Sequence, residues 1–391
     1  MKKILSLLFL SASLPLMAQQ SIDEALSLIE QHNTTLIALR QTAEAEKLDN
    51  RTDLGLPDPE VEYGFLWGKP SAIGNRHDLS ISQTFDAATL SGLKHKVANL
   101  KNEGVEIQYR AERMALLLRA QQLLIDLTCS NALIKALQLR LDYASKIVTA
   151  EDRKLQQGEG TKLDFNNARL NHTKALAAIA QAEAERADIL AELSLLNGGD
   201  ELDYTLTSFP EEALPIDFNA WYADVEGRMP DLLQAQNDLL LSRKQVALSR
   251  SECLPALTLG FMSEKTDEEH FRGITAGISI PLWSGRRKIR QARAEALAAE
   301  ARQLDAVTQH YGQLRALYNR ALGLQSTAQL YRQALDESNN TQLLNKALDA
   351  GEISLIDYIS EISLYYDLLD EALNAERDYH KAIAELLAVE L

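Results

Sequence analysis

The sequence predicts a mainly α-helical protein with a small β part, in which long antiparallel coiled-coil helices and short β-hairpins occur twice. Three observations predict it: two long tracts without proline, an apolar spacing of four and three inside them, and an internal repeat of nearly half the chain. All nine prolines fall at positions 15, 57, 59, 70, 210, 215, 230, 255 and 281, so 91–209 and 282–391 contain none. An interior proline removes a helix hydrogen bond and clashes with the preceding turn, so such tracts permit long helices.

Within the tracts, Leu116, Ala120, Leu123, Leu127, Ser130, Ile134, Leu137 and Leu141 alternate steps of four and three. Leu304, Val307, Tyr311, Leu314, Tyr318 and Ala321 do likewise. That spacing is a coiled-coil seam. A helix from about Gly92 to about Gln157 would span roughly 100 Å, far more than a compact globule needs. Its predicted partner, Thr161 to Leu196, returns antiparallel and carries alanines from Ala175 to Ala187 that allow close approach.

The repeat is clearest where the helices reverse. Leu155 to Phe165 (LQQGEGTKLDF) aligns with Leu348 to Tyr358 (LDAGEISLIDY) at an offset of 193. Gly92-Leu-Lys-His-Lys meets Gly285-Arg-Arg-Lys-Ile at the same offset, and Leu56-Pro57 meets Leu254-Pro255 at 198. The predicted organisation is an export signal at 1–18, a first repeat at 19–209 and a second at 210–391. Each repeat comprises a helix, a β-hairpin and a long helical hairpin, and the two form one integrated domain.

Two pairs of segments rich in strand formers read as hairpins: 60–65 with 78–85, and 256–262 with 274–280. In the second pair Leu257, Leu259 and Phe261, and then Ile274, Ala276, Ile278 and Ile280, alternate with small or polar residues. One face of such a sheet suits lipid and the other water. Four strands cannot close a barrel, and open edges are not tolerated in hydrocarbon, so several copies must share one sheet. Three protomers would supply a 12-strand transmembrane β-barrel, in keeping with a tube of helical hairpins, an α-barrel. Phe65, Trp67, Phe85, Phe271 and Trp283 sit at or near the strand ends, where an interfacial aromatic belt would fall.

Composition narrows the function further. Lys2 and Lys3, the apolar run Ile4 to Leu10 and the small-residue exit at Met17-Ala18 read as an export signal. The run is shorter than the roughly 20 residues of a spanning helix. Formal charge is -16, and loss of Lys2 and Lys3 makes it -18, a balance that repels nucleic acid. Cys129 and Cys253 are expected to be free thiols. The seven histidines show no metal-ligand spacing, and Asp267-Glu-Glu-His270 reads as a solvated loop, so no metal site or cofactor is expected. No nucleophile with its base and no phosphate-cradling glycine run is present, so the chain is not expected to be an enzyme.

The chain resembles the outer-membrane factors of the TolC family. The resemblance rests on Ser21-Ile-Asp-Glu-Ala-Leu26, Asn33-Thr-Thr-Leu-Ile-Ala-Leu39, the echo Arg228-Met-Pro-Asp-Leu-Leu-Gln-Ala-Gln236, and Ile278-Ser-Ile-Pro-Leu-Trp-Ser-Gly-Arg286 at a strand-to-helix junction. The paired Gly-Glu turns complete it, and Leu56-Pro-Asp-Pro59 looks like the CusC/CzcC heavy-metal branch. The resemblance implies a homotrimer held in outer-membrane lipid, with a long periplasmic extension. It also implies a passive efflux duct joined to a periplasmic adaptor (membrane fusion protein) and an inner-membrane pump of the RND type. A rival reading, a periplasmic coiled-coil adaptor or scaffold, would share the helices but shows one hairpin rather than a plan used twice.

Each turn has its own logic. Gly158 and Gly351 suit the left-handed residue that ends a helix. Thr161-x-x-Asp164 and Ser354-x-x-Asp357 read as capping boxes that start the next. The resemblance implies that Gly158, Glu159, Thr161, Gly351, Glu352 and Ser354 dock the adaptor. It further implies that Asp357 lines a periplasmic gate, that Asp164 lies among links holding the gate shut, and that Glu361 stands one turn further along. Ser360 replaces a second aspartate of the family's pattern.

Overall fold

A computed structural model of the chain describes residues 21–69, 74–281 and 285–391. The export signal, Trp283 and the middle of the 278–286 junction therefore lie outside the described residues. The elements run α1 (Ile22–His32), α2 (Thr34–Asp49), β1 (Glu60–Leu66), β2 (Arg76–Phe85), α3 (Ala87–Leu90), α4 (Leu93–Gln157), α5 (Lys162–Leu196), α6 (Phe218–Val225), α7 (Pro230–Ser251), β3 (Ala256–Lys265), β4 (His270–Ser279), α8 (Gly285–Glu337), α9 (Thr341–Asp349) and α10 (Leu355–Leu386). The 65 residues of α4 make a helix of about 100 Å.

In the second half the arm that leads to the Gly351 turn is divided into two helices, α8 and α9. Between α8 and α9 the chain breaks at Ser338-Asn339-Asn340 without a proline. Short polar side chains compete with the helix backbone for hydrogen bonds. Here Asn339 Oδ1 accepts from the Thr341 hydroxyl at 2.7 Å.

The fold resolves into two compact units, each drawing on both halves of the sequence. One takes in the chain through Thr34, Leu117–Leu214 and Asn319–Leu387; the other takes in Thr35–Leu116, Pro215–Tyr318 and Ala388–Leu391. In the first unit Ile29, Leu124, Leu127, Leu193 and Ile383 are fully buried, and they include the predicted seam residue Leu127. The irregular segment after α5 is pinned to α4 by two hydrogen bonds. Buried Tyr204 bonds the Thr128 hydroxyl at 2.9 Å, and Asn131 Nδ2 donates to the Leu206 carbonyl at 3.0 Å. Burial pushes the Cys129 thiol up to about 11, so it is a packing residue rather than a reactive one.

In the second unit, Phe218 packs against Tyr222, Tyr311 and Tyr318, and Val225, Met229 and Leu232 pack against Val307 and Leu314. Tyr318 is 7% exposed but Leu304 of the same seam is 69% exposed, so part of the second seam is uncovered by the described residues. This unit holds the one sheet among the described residues, antiparallel throughout in the order β1-β2-β3-β4. Both predicted hairpins form, and the central pair, β2 with β3, joins the two sequence halves through Phe85↔Leu257 to His77↔Lys265. Cys253, half-buried and free, precedes β3.

Candidate functional site

Register decides which residues share a face of the sheet, because directly paired residues in antiparallel strands point the same way. One row runs Val61, Ile81, Phe261, Ile274 across all four strands. Its neighbours run Gln83, Leu259, Ala276 and then Phe85, Leu257, Ile278. These three rows are therefore apolar but for Gln83. They are also bare: Ile274 is 87% and Val61 66% exposed in the single chain. The opposite face carries Glu62, Ser80, Ser82, Thr84, Thr258 and Thr275, with Gly260 between Ser82 and Thr275. Among the described residues the sheet thus has one bare apolar face, one polar face and two unpaired edges, β1 and β4, and open edges are not tolerated in hydrocarbon.

Aromatic placement is partly as the sequence predicts. Phe65 lies at the hairpin end of the apolar face and Phe85 at its helix end, while Trp67, just beyond β1, is exposed. Phe271 pairs with Glu264 and so belongs to the polar face, which removes it from a lipid-facing belt. The cause is alternation: His270 proves to be the first residue of β4 rather than a loop residue, leaving 267–269 in the turn.

The second set of predicted residues forms two helical turns in the first unit. Gly158 has φ 78° and Gly351 φ 72°, the left-handed conformation predicted for them. Glu159 N donates to the Lys154 carbonyl at 2.9 Å, and Glu352 N to the Ala347 carbonyl at 2.9 Å. These six-residue closures are the helix ends expected around such glycines. The starts of α5 and α10 match as well. Thr161 Oγ1 accepts from Asp164 N at 3.1 Å and donates to Asp164 Oδ2 at 2.6 Å. Ser354 Oγ accepts from Asp357 N at 3.2 Å and donates to Asp357 Oδ2 at 2.6 Å.

The predicted capping boxes are thus half correct. In the full box at Ser21, the Glu24 carboxylate reaches back to the Ser21 backbone N–H at 3.1 Å. Asp164 and Asp357 are one methylene shorter and bind the cap hydroxyl instead. Each aspartate keeps a second carboxylate oxygen outside that bond. Asp357 and Glu361 are exposed and Asp164 is half-buried. Among the described residues no cluster of potential metal ligands occurs, and no helix is long and apolar enough to cross a membrane.

A further cluster, between α4 and α10, has no signal in the sequence. Arg140 of α4 donates to Asp370 Oδ2 at 3.0 Å and to the Tyr366 carbonyl at 3.0 Å, with its guanidinium 4.3 Å from the Tyr366 ring centre. Nearby, buried Tyr358 donates to Asn345 Oδ1 at 2.7 Å, and burial pushes its hydroxyl up to about 12. Arg140 and Asp370 stand 230 residues apart, and no local spacing signals the pair.

Long helices, helical turns and an amphipathic sheet are also the elements of solved outer-membrane channels. The solved structures agree. The chain superimposes on CusC with a TM-score of 0.78 at 15% identity, over 95% of this chain and 92% of that one. For VceC of Vibrio cholerae the values are 0.76, 13%, 94% and 95%, and for CmeC of Campylobacter jejuni 0.73, 17%, 94% and 85%. Residues 221–389 match the model of the outer membrane efflux protein family. No curated protein matches the chain by sequence.

Proposed function

We propose that three copies of this chain assemble into a passive export duct: a 12-strand β-barrel in the outer membrane continued by a helical tunnel in the periplasm. The duct is the outer component of a tripartite efflux system, joined to a periplasmic adaptor and an RND-type inner-membrane pump. The observation that carries this reading is the sheet, whose apolar face and two free edges demand lipid outside and further copies alongside. Exposed leucines on the helices point the same way. Leu163 and Leu170 on α5, Leu297 and Leu304 on α8 and Leu364 on α10 are each more than 60% exposed in the single chain. Leu163 and Leu170, like Leu297 and Leu304, are seven residues apart and so recur on one face of their helix, as an association seam requires.

The turns at Gly158, Glu159 and Thr161 and at Gly351, Glu352 and Ser354 are the adaptor-docking tips. Six near-equivalent turns in a trimer would present a ring of repeated contacts. Asp164, Asp357 and Glu361 follow inside the tips and form the periplasmic gate, with threefold symmetry turning each into a ring of carboxylates. Such rings favour cations. Selectivity among exported solutes resides in the pump, because a wide duct contacts its cargo weakly.

Single-channel recording in planar lipid bilayers tests the reading. The wild-type protein is expected to give discrete, cation-preferring conductance steps. Asp357→Ala should lower the cation preference while leaving insertion intact. Unchanged selectivity would remove Asp357 from the gate, and absence of conductance steps would remove the duct.

A further inference from the structure

The apolar face of the sheet changes character at the hairpin ends, the ends away from the helices that flank it, α4 and α7. The last full row reads Phe65, His77, Lys265, His270, and the row before it Tyr63, Leu79, Ser263, Arg272. His77, Lys265, His270 and Arg272 are all exposed, and they share the face that bears Leu257, Phe261 and Ile278. The other face at the same level has the opposite sign: Asp78 pairs with Glu264, and Arg76 is held by Asp78 at 2.7 Å.

Two features make the basic rows more than a solvated rim. First, among the described residues no carboxylate lies within ion-pair distance of Lys265 or Arg272, in a chain of net charge -16. Glu264, next to Lys265 in sequence, pairs with Asp78 on the other face, and Asp267 to Glu269 lie past the strand ends in a turn closed by Thr266 N to the Glu269 carbonyl at 2.9 Å. Asp267 turns across to the other hairpin, its Oδ2 2.6 Å from where a Cβ on Gly74 would stand. Second, Arg272 and the two histidines are positioned rather than loose. Arg272 Nε lies 3.1 Å from His270 Nε2, that ring bonds the Ser263 hydroxyl at 2.9 Å, and the Tyr63 hydroxyl bonds His77 Nδ1 at 2.8 Å.

From this placement we infer that Lys265 and Arg272, flanked by His77 and His270, bind the phosphate groups of lipids in the outer leaflet. The inference rests on the barrel reading, which turns this face toward lipid and these ends outward. Hydrocarbon then covers the apolar rows and the headgroup layer meets the basic ones. Continuity of the two on one face selects a lipid phosphate over a soluble anion, because acyl chains seat on Phe261 and Ile274 while the phosphate meets the cations just above.

The test uses the purified full chain in detergent micelles doped with diphosphoryl lipid A, with its dephosphorylated form, or with inorganic phosphate alone. Binding is read by native mass spectrometry. Wild-type protein should retain the diphosphoryl lipid in preference to the dephosphorylated one. Lys265→Gln/Arg272→Gln should cut that preference roughly tenfold or more, from about fivefold for each charge at a charged surface. Arg76→Gln, on the polar face, should keep it. Equal retention by the double variant, or displacement of the lipid by inorganic phosphate at matched concentration, would overturn the inference. Insertion of each protein into vesicles is scored in parallel by protease protection. Insertion without phosphate preference sinks the lipid site alone, whereas failure to insert sinks the barrel and the site together.

Discussion

Leu259→Lys is expected to abolish the heat-resistant oligomer, whereas Thr275→Lys is expected to leave it standing. The two positions lie on adjacent strands but on opposite faces: Leu259 pairs with Ala276 among apolar rows, and Thr275 pairs with Gly260 among polar ones. A Lys at the lipid midplane of a barrel costs about 2–4 kcal/mol, so three copies of Leu259→Lys cost about 6–12 kcal/mol per trimer. On the water-filled side the same charge is hydrated and costs little. The measurement is oligomer mobility on a denaturing gel before and after heating, for outer-membrane fractions of each variant. If the two substitutions behave alike, the assignment of faces is wrong.

The second large effect concerns the junction where α1 meets the end of α5. Buried Asn33 donates from Nδ2 to the Leu196 carbonyl at 2.6 Å, and His32 Nδ1 meets Asn197 Oδ1 at 3.2 Å. This contact is possible because the chain reverses at Gly198 and Gly199, with φ 74° and 98°. A Cβ at 198 would lie 2.5 Å from the His32 carbonyl oxygen, while one at 199 would meet nothing within 4 Å. Both alanine substitutions impose the left-handed cost of about 1–2 kcal/mol. Only Gly198→Ala adds a backbone clash, for a further penalty of about 1–3 kcal/mol. Thermal unfolding followed by circular dichroism should therefore place Gly198→Ala clearly below Gly199→Ala. Equal midpoints would show that α1 does not dock as described.

Much of this architecture was legible in the residues. Proline-free tracts foretold α4 because a backbone rule with a cost of about 3 kcal/mol leaves a clear trace. The Gly158 and Gly351 turns were legible because left-handed backbone selects glycine. The hairpins were legible, but their extents were not. Arg76, His77 and Glu264 extend β2 and β3 with polar residues, which strand propensity discounts and cross-strand pairing tolerates. For the same reason His270 resembles a loop residue in sequence, and the basic rows at the hairpin ends emerge only from the register.

Long-range pairs were invisible for a different reason. Arg140 and Asp370, like Asn33 and Leu196, depend on which helices pack together, and no periodicity within one helix encodes a partner. The break at Ser338 to Asn340 was hidden because three weak helix formers act together where no single breaker stands. The capping carboxylates were half legible: the spacing of Thr161 to Asp164 is that of a box, but side-chain length decides which donor is bound.

If the proposed duct forms, the sheet of one chain is an unfinished third of a barrel. Native mass spectrometry of the exported chain, extracted from membranes in detergent, measures it directly. A single species of three processed chains, lost on heating, is the predicted result. A single-chain mass, obtained from buffer without detergent, would contradict the account, because a protomer that covers its own Ile274 and Val61 face needs neither neighbours nor lipid.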